Sequence, residues 1–337
     1  MARSHTILTI ALTFFMPPAV WALDFLIWRP TQPLPPDAVP IECVKRVPYY
    51  SGKDADSNRH SLDLYLPKGH KDFPVVVFVH GGAWMAGDNC CCGLYSSIGE
   101  YLASRGIGAV LPNYRLSPWV RHPEHMKDLA RAWAWTKAHI GEYGGRSDRM
   151  FAMGHSAGGH MVALLATDER YLQAEGLDTK SIRGVIAISG VYRIPEGNYE
   201  FALGGSGPDG LRLADLFALR GAGQPLALLG PGLPLRLNVF GPVFGDEPRE
   251  RAGASPLNHV RANLPPFLIF SAEHDLPMLG AMADELHAAL KGLGCDSTLV
   301  KVPARNHNSV MFLAMNDSDP VAGRIVEFVR RNTTSAK

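Results

Sequence analysis

Short apolar runs alternate with amphipathic stretches along most of this chain. Residues 60–66 switch between polar and apolar side chains, which predicts a strand near a sheet edge. Phe73–Val79 is instead a nearly unbroken run of valine and phenylalanine, the pattern of a strand buried on both faces. Residues 108–114, 150–153, 184–190, 266–271 and 297–302 read as further strands. Between them the apolar period lengthens to that of a helix. One helix is predicted from about Pro123, a favourable first helical residue, with Leu129, Ala132, Trp133 and Thr136 on one face and an end near Gly144-Gly145. Others are predicted over 161–166, 277–290 and 321–330. Strands and helices alternating in this way make an α/β fold, a mostly parallel sheet with helices on both faces.

Two regions break the alternation. Residues 30–40 are rich in proline and predict an extended, poorly packed leader. Residues 192–260 are rich in Gly, Pro and Leu, with only weak helical pieces such as 211–219, and are too long for a simple connection. Ligands bind beyond the C-terminal ends of strands in open α/β sheets, so an insertion leaving one central strand and returning before the next should overhang the site as a cap. At the N-terminus, Arg3 and His5 precede an apolar stretch of about ten residues, too short to span a bilayer, and Val20-Trp21-Ala22 carries small residues where signal cleavage needs them. The expected organisation is a signal peptide over 1–22, a leader over 23–45, and one catalytic domain over 46–335 with a cap at about 192–260. The protein would then be exported, periplasmic or secreted, with no stable membrane span after signal removal.

Composition narrows the partners. Of 337 residues, 33 are basic and 32 acidic, for a net charge of +1 and no long run of either sign, which argues against a nucleic-acid partner. The five cysteines, Cys43, Cys90, Cys91, Cys92 and Cys295, are an odd set that leaves at least one thiol without an intrachain disulfide partner. Three consecutive cysteines do not match a zinc spacing, and no metal is expected. A bridge from this cluster to Cys43 or Cys295 stays open.

Chemistry concentrates at strand ends. Gly154-His155-Ser156-Ala157-Gly158 lies between a strand and an apolar helix, the pattern of a sharp turn that lifts a serine clear of the sheet. Glycines two positions either side leave room where strand and helix converge. His80-Gly81-Gly82-Ala83-Trp84 follows the Phe73–Val79 strand. The amides of Gly82 and Ala83, together with that of Ala157, can bind an oxyanion as a carbonyl becomes tetrahedral, each such donor being worth about 10²–10³ in rate. Asp275 follows the strand at 266–271, with Glu273 as a rival acid, and His307 follows the last strand. Among thirteen histidines His307 is the candidate base because of that position, while His155 and His160 beside the serine read as packing or supporting groups. The chain order is serine, acid, histidine.

Taken together, these segments resemble an α/β-hydrolase serine esterase over nearly all of the expected mature chain. With Ser255-Pro256-Leu257-Asn258-His259-Val260 and Asn306-His307-Asn308-Ser309, they are similar to the group containing feruloyl-type esterases, kynurenine formamidases and prenylcysteine methylesterases. The resemblance implies a Ser156, Asp275, His307 triad and an oxyanion hole from Gly82, Ala83 and Ala157, with no cofactor. Hormone-sensitive-lipase relatives usually carry a third glycine where this chain has Ala83. The expected activity is acyl-enzyme hydrolysis of small to medium uncharged esters, with Trp84 and the cap lining an apolar pocket for a small-molecule substrate. The alternatives are an arylformamide or amide hydrolase with the same triad, and a non-catalytic binding protein on this scaffold.

Overall fold

The computed structural model describes residues 38–90, 93–196 and 239–334, together with the short strands 201–203, 211–212 and 235–237. The expected signal peptide, most of the leader, Cys91, Cys92 and about half of the expected cap lie outside the described residues.

Eight strands form one sheet: β1 (Ile41–Pro48), β2 (Ser61–Pro67), β3 (Phe73–Val79), β4 (Gly108–Pro112), β5 (Gly145–His155), β6 (Gly184–Ile188), β10 (Phe267–His274) and β11 (Ser297–Asn306). Their spatial order is β1-β2-β4-β3-β5-β6-β10-β11. The pairings from β4 to β11 are parallel, and β2 lies antiparallel between β1 and β4. A second, three-stranded sheet consists of β7 (Phe201–Leu203), β9 (Leu235–Leu237) and β8 (Leu211–Arg212). The helical piece expected over 211–219 therefore begins as strand, and its remainder lies outside the described residues.

The central strands bury alternate residues on opposite faces, because successive side chains in a strand point in opposite directions. Val75, Val77 and Val79 of β3, Ala152 of β5, Val185 and Ala187 of β6, and Phe267 and Ile269 of β10 belong to one core. Helices α2 (Glu124–His139), α3 (Ala157–Thr167) and α7 (Leu279–Gly292) cover it through Leu129, Trp133, Met161, Leu165 and Leu286. Val76, Phe78, Phe151, Met153, Ile186, Ile188 and Phe270 form the other core. It is covered by α1 (Leu94–Ser104) and α9 (Pro320–Thr334) through Ile98, Leu102, Ile325 and Val329. Each such side chain contributes about 1.5–3 kcal/mol by leaving water. Four short helices complete the elements named here: α4 (Arg170–Gln173), which follows α3, α5 (Gly241–Phe244), α6 (Pro248–Gly253) and α8 (Ser309–Phe312).

Two differences from expectation have plain causes. The leader expected to reach residue 45 gives way at Ile41 to β1, which forms the sheet edge, so residues 60–66 lie one strand in and are buried throughout. An edge strand has one face and one side in water, and β1 accordingly carries Glu42, Lys45 and Arg46 instead of an apolar run. Helix α1 is the second addition. Its buried Tyr95, Ile98 and Leu102 are spaced for a helix, but serines and Gly99 weaken the local signal.

Candidate active site

Strand β5 ends at His155 and α3 begins at Ala157, leaving a single residue, Ser156, to turn the chain. Its backbone takes φ 56° and ψ −118°, a region that side chains other than glycine rarely adopt. The glycines around it are required by contact. A Cβ on Gly154 would lie 2.3 Å from the Gly158 carbonyl oxygen, and one on Gly158 would lie 2.0 Å from that of Val79. Close approach of strand and helix at these two points forces the tight turn, and Ser156 is left partly exposed at its apex.

His307 Nε2 lies 2.9 Å from Ser156 Oγ, and His307 Nδ1 lies 2.7 Å from Asp275 Oδ1. With Nδ1–H donating to the carboxylate, Nε2 presents its lone pair to the serine hydroxyl. The three groups come from the ends of β5, β10 and β11. Asp275 is locked further: its Oδ2 accepts from Ser189 Oγ at 2.5 Å and from the Ala272 amide at 3.2 Å, and its Oδ1 accepts from the Leu276 amide at 2.9 Å. Burial works against this carboxylate, but the His307 hydrogen bond and charge, with the Ser189 and Ala272 hydrogen bonds, outweigh it and hold the group below the usual carboxylate range. Glu273, the rival acid, is exposed and accepts instead from the Ala304 amide at 2.7 Å. The β10–β11 register shifts between Ala272 and His274, and this irregularity separates the two acids.

A short turn presents His307. The Asn306 side-chain oxygen accepts from the amides of Asn308 at 3.0 Å and Ser309 at 2.8 Å, and Ser309 Oγ accepts from the Asn306 amide at 2.9 Å. These local bonds curl the chain straight from β11 into α8.

The loop after β3 lies against the serine. A Cβ on Gly81 would sit 3.1 Å from Ser156 Cβ. Gly82 has φ 117° and Ala83 φ 52°, so this stretch turns through the left-handed region. The amides of Gly82, Ala83 and Ala157 take no hydrogen-bond partner among the described residues, and the Ala157 amide is the first of helix α3, where the helix end favours negative charge. Ala83 occupies a backbone conformation that glycine would adopt without strain.

Trp84 is placed differently from expectation. It is 2% exposed, its indole N–H donates to His160 Nδ1 at 3.2 Å, and its ring meets Phe244 edge-on at 4.9 Å between centroids. Among the described residues Trp84 packs beneath the loop and does not line an open pocket, contrary to the expectation, because a buried indole N–H needs a partner and His160 supplies it. His160 Nε2 contacts the Ala254 carbonyl oxygen at 2.8 Å, which ties α3 to the segment following α6. Ser255 is buried too, accepting from the Ile194 amide and donating to the Arg251 carbonyl.

Ser189 is the group that sequence reading passed over. It directly follows β6 with φ 47° and 2% exposure, and a serine followed by Gly190 carries no signal of its reach to Asp275. Cys43, Cys90 and Cys295 are free thiols in the structure.

Residues 62–194 match the BD-FAE family model. The chain is 31% identical over 281 residues to a protein of Arabidopsis thaliana named a probable isoprenylcysteine alpha-carbonyl methylesterase, covering 81% of this chain and 52% of that one. It is 32% identical over 225 residues to an esterase of Mycobacterium tuberculosis, covering 65% and 49%. The chain spans about half the length of the curated relatives it matches. Among solved structures, esterase B of Lactobacillus rhamnosis superposes with a TM-score of 0.66 at 19% identity, covering 98% of this chain and 96% of that one. The fold is the α/β-hydrolase fold of these esterases, and the resemblance to the esterase and isoprenylcysteine methylesterase group is supported.

Proposed function

We propose that this chain is a serine carboxylic-ester hydrolase. The observation that carries the reading is the hydrogen-bonded line Ser156–His307–Asp275, at 2.9 and 2.7 Å, beside the unpaired amide that opens α3. Ser156 Oγ attacks the ester carbonyl while His307 Nε2 takes its proton, and Asp275 stabilises the imidazolium that results. The amides of Gly82, Ala83 and Ala157 receive the oxyanion. Collapse expels the alcohol, which takes the proton back from His307, and water then releases the acid from the acyl-enzyme with the same base. The names of the relatives support carboxylic esters, methyl esters among them, as the substrate class.

Uncharged esters of small to medium size are the preferred substrates. Among the described residues, those that adjoin Ser156 (Gly81, His155, Ala157 and His307) bring no fixed charge, and the one carboxylate in contact with them, Asp275, is engaged by His307 and Ser189. A fluorophosphonate should label Ser156 stoichiometrically in folded protein. A series of p-nitrophenyl esters of rising chain length, run beside methyl ferulate and formylkynurenine, then ranks the substrates. Faster turnover of formylkynurenine than of any ester would make the chain an arylformamide hydrolase, and absence of labelling would make it a binding protein.

Export belongs to the same proposal. The charged start, short apolar stretch and Val20-Trp21-Ala22 support cleavage after Ala22. Mass analysis of protein from an exporting host should find a mature chain beginning at Leu23, and an intact N-terminus recovered from the cytosol would refute it.

A further inference from the structure

His155 directly precedes Ser156 and is 2% exposed. Its Nε2 lies 2.8 Å from the backbone carbonyl oxygen of His307. A carbonyl only accepts, so Nε2 must carry the proton and Nδ1 must be the acceptor. Nδ1 faces the Tyr95 hydroxyl at 3.4 Å, and that hydroxyl accepts from the Gly81 amide at 3.1 Å. The direction of every bond is thereby set: Gly81 N–H to Tyr95 O–H, Tyr95 O–H to His155 Nδ1, and His155 Nε2–H to the His307 carbonyl. The ends of this line are the start of the loop that holds the Gly82 and Ala83 amides and the residue proposed as base.

Independent contacts hold the line in place. Gly81 is gripped on its other side as well, its carbonyl oxygen lying 2.8 Å from His80 Nδ1. A Cβ at Gly81 would lie 3.0 Å from both the Tyr95 hydroxyl and the His155 carbonyl oxygen, so a side chain there would press on the tyrosine. Phe312, on α8 just past His307, packs on both rings, with centroids 5.5 Å from Tyr95 and 5.8 Å from His155. The His155 and His307 rings lie 4.9 Å apart. A charge on His155 would oppose the imidazolium that must form on His307, and burial pushes His155 down to about 3, which keeps it neutral.

We infer that Tyr95 and His155 are positioning residues of the proposed ester-hydrolysis site, a neutral hydrogen-bonded strut that sets the spacing between the oxyanion loop and the loop carrying His307. The inference rests on the esterase reading above. The transition state needs the oxyanion donors and the base at the same moment, and misplacement of either by about 1 Å is enough to cost on the order of 10²-fold. Neither residue touches the reacting atoms, so their loss should lower kcat and leave binding of the ester nearly unchanged.

The test uses the full chain and its Tyr95→Phe, His155→Leu and His155→Gln variants, with p-nitrophenyl butyrate as substrate and active sites counted by fluorophosphonate labelling carried to completion. Tyr95→Phe and His155→Leu should each lower kcat per labelled site by about 10–100-fold, with KM changed by no more than about threefold. His155→Gln, whose amide can still donate to the His307 carbonyl, should recover to within about fivefold of wild type. A kcat per site for Tyr95→Phe and His155→Leu equal to wild type, or a loss confined to KM, would overturn the strut. So would a glutamine variant as impaired as the leucine one. If His155→Leu does not fold, Tyr95→Phe decides the matter, since it removes a single oxygen. If wild type neither turns over nor labels, the esterase reading fails and the strut with it; an active wild type with unimpaired variants removes the strut alone.

Discussion

At the scale of single residues, Ser156 shows how local strain can serve the proposed reaction. Its φ of 56° is held by β5 and α3 converging around Gly154 and Gly158, and the result is an alcohol raised toward His307. With Ser156 and His307 acting as a unit, as proposed, Ser156→Ala and His307→Ala should each lower turnover by roughly 10⁴–10⁶, with the double variant no worse than either. Kinetics on the three purified proteins check this, and additive losses would contradict it. The two acids at the end of β10 separate just as sharply. Asp275→Asn should abolish most turnover, whereas Glu273→Gln, which alters only a contact to the Ala304 amide, should remain within about tenfold of wild type. Reversal of that order in a side-by-side assay would reassign the acid.

At the scale of elements, the glycines around Ser156 and the packing of β5 decide whether the tight turn at Ser156 exists. Gly158→Ala places a methyl group 2.0 Å from a backbone oxygen of β3, and backbone yields poorly. It should destabilise the fold by about 1–3 kcal/mol or more, read from the urea midpoint. Phe151, fully buried between Gly184 and Phe328, is the other lever, and Phe151→Ala should cost about 3–5 kcal/mol by leaving a cavity. A stable Phe151→Ala protein with wild-type midpoint would mean that this core refills freely. Most of these elements were legible because central parallel strands are buried on both faces and must be written in valine, isoleucine and phenylalanine. The edge strand β1 and the helix α1 were harder to see for the opposite reason, since water on one side of β1 and serines in α1 dilute the period.

At the scale of the whole molecule, the parallel sheet brings residues 156, 275 and 307 to one rim, because the strands that precede them all end there. The same packing buries His80, His125, His155 and His160 and partly buries His122, which favours the neutral form of each. Burial pushes His155 and His160 down to about 3 and His80, His122 and His125 to about 4, against an ordinary value of 6.5. The unfolded chain therefore binds more protons than the folded one between those values. The stability that these groups contribute is fully present above about pH 6.5 and is lost as pH falls toward 4, by up to about 1.4 kcal/mol per pH unit for each histidine. Urea midpoints measured at pH 7.5, 6 and 5 should fall in that order, and a constant midpoint would show that these rings protonate without opposing the fold.

The residues by themselves determined the α/β alternation, the turn at Ser156 and the chain order of serine, acid and histidine. Each is a matter of local period or local sterics, and a chain carries such information in consecutive positions. Only the tertiary structure decided that Asp275 and not Glu273 meets His307, that Ser189 braces it, that Trp84 turns inward to His160, and that Tyr95 reaches His155. Those outcomes depend on distances between residues far apart in sequence, down to a one-residue irregularity between β10 and β11, and a hydrogen bond gained or lost over such a distance leaves no periodic trace in the chain.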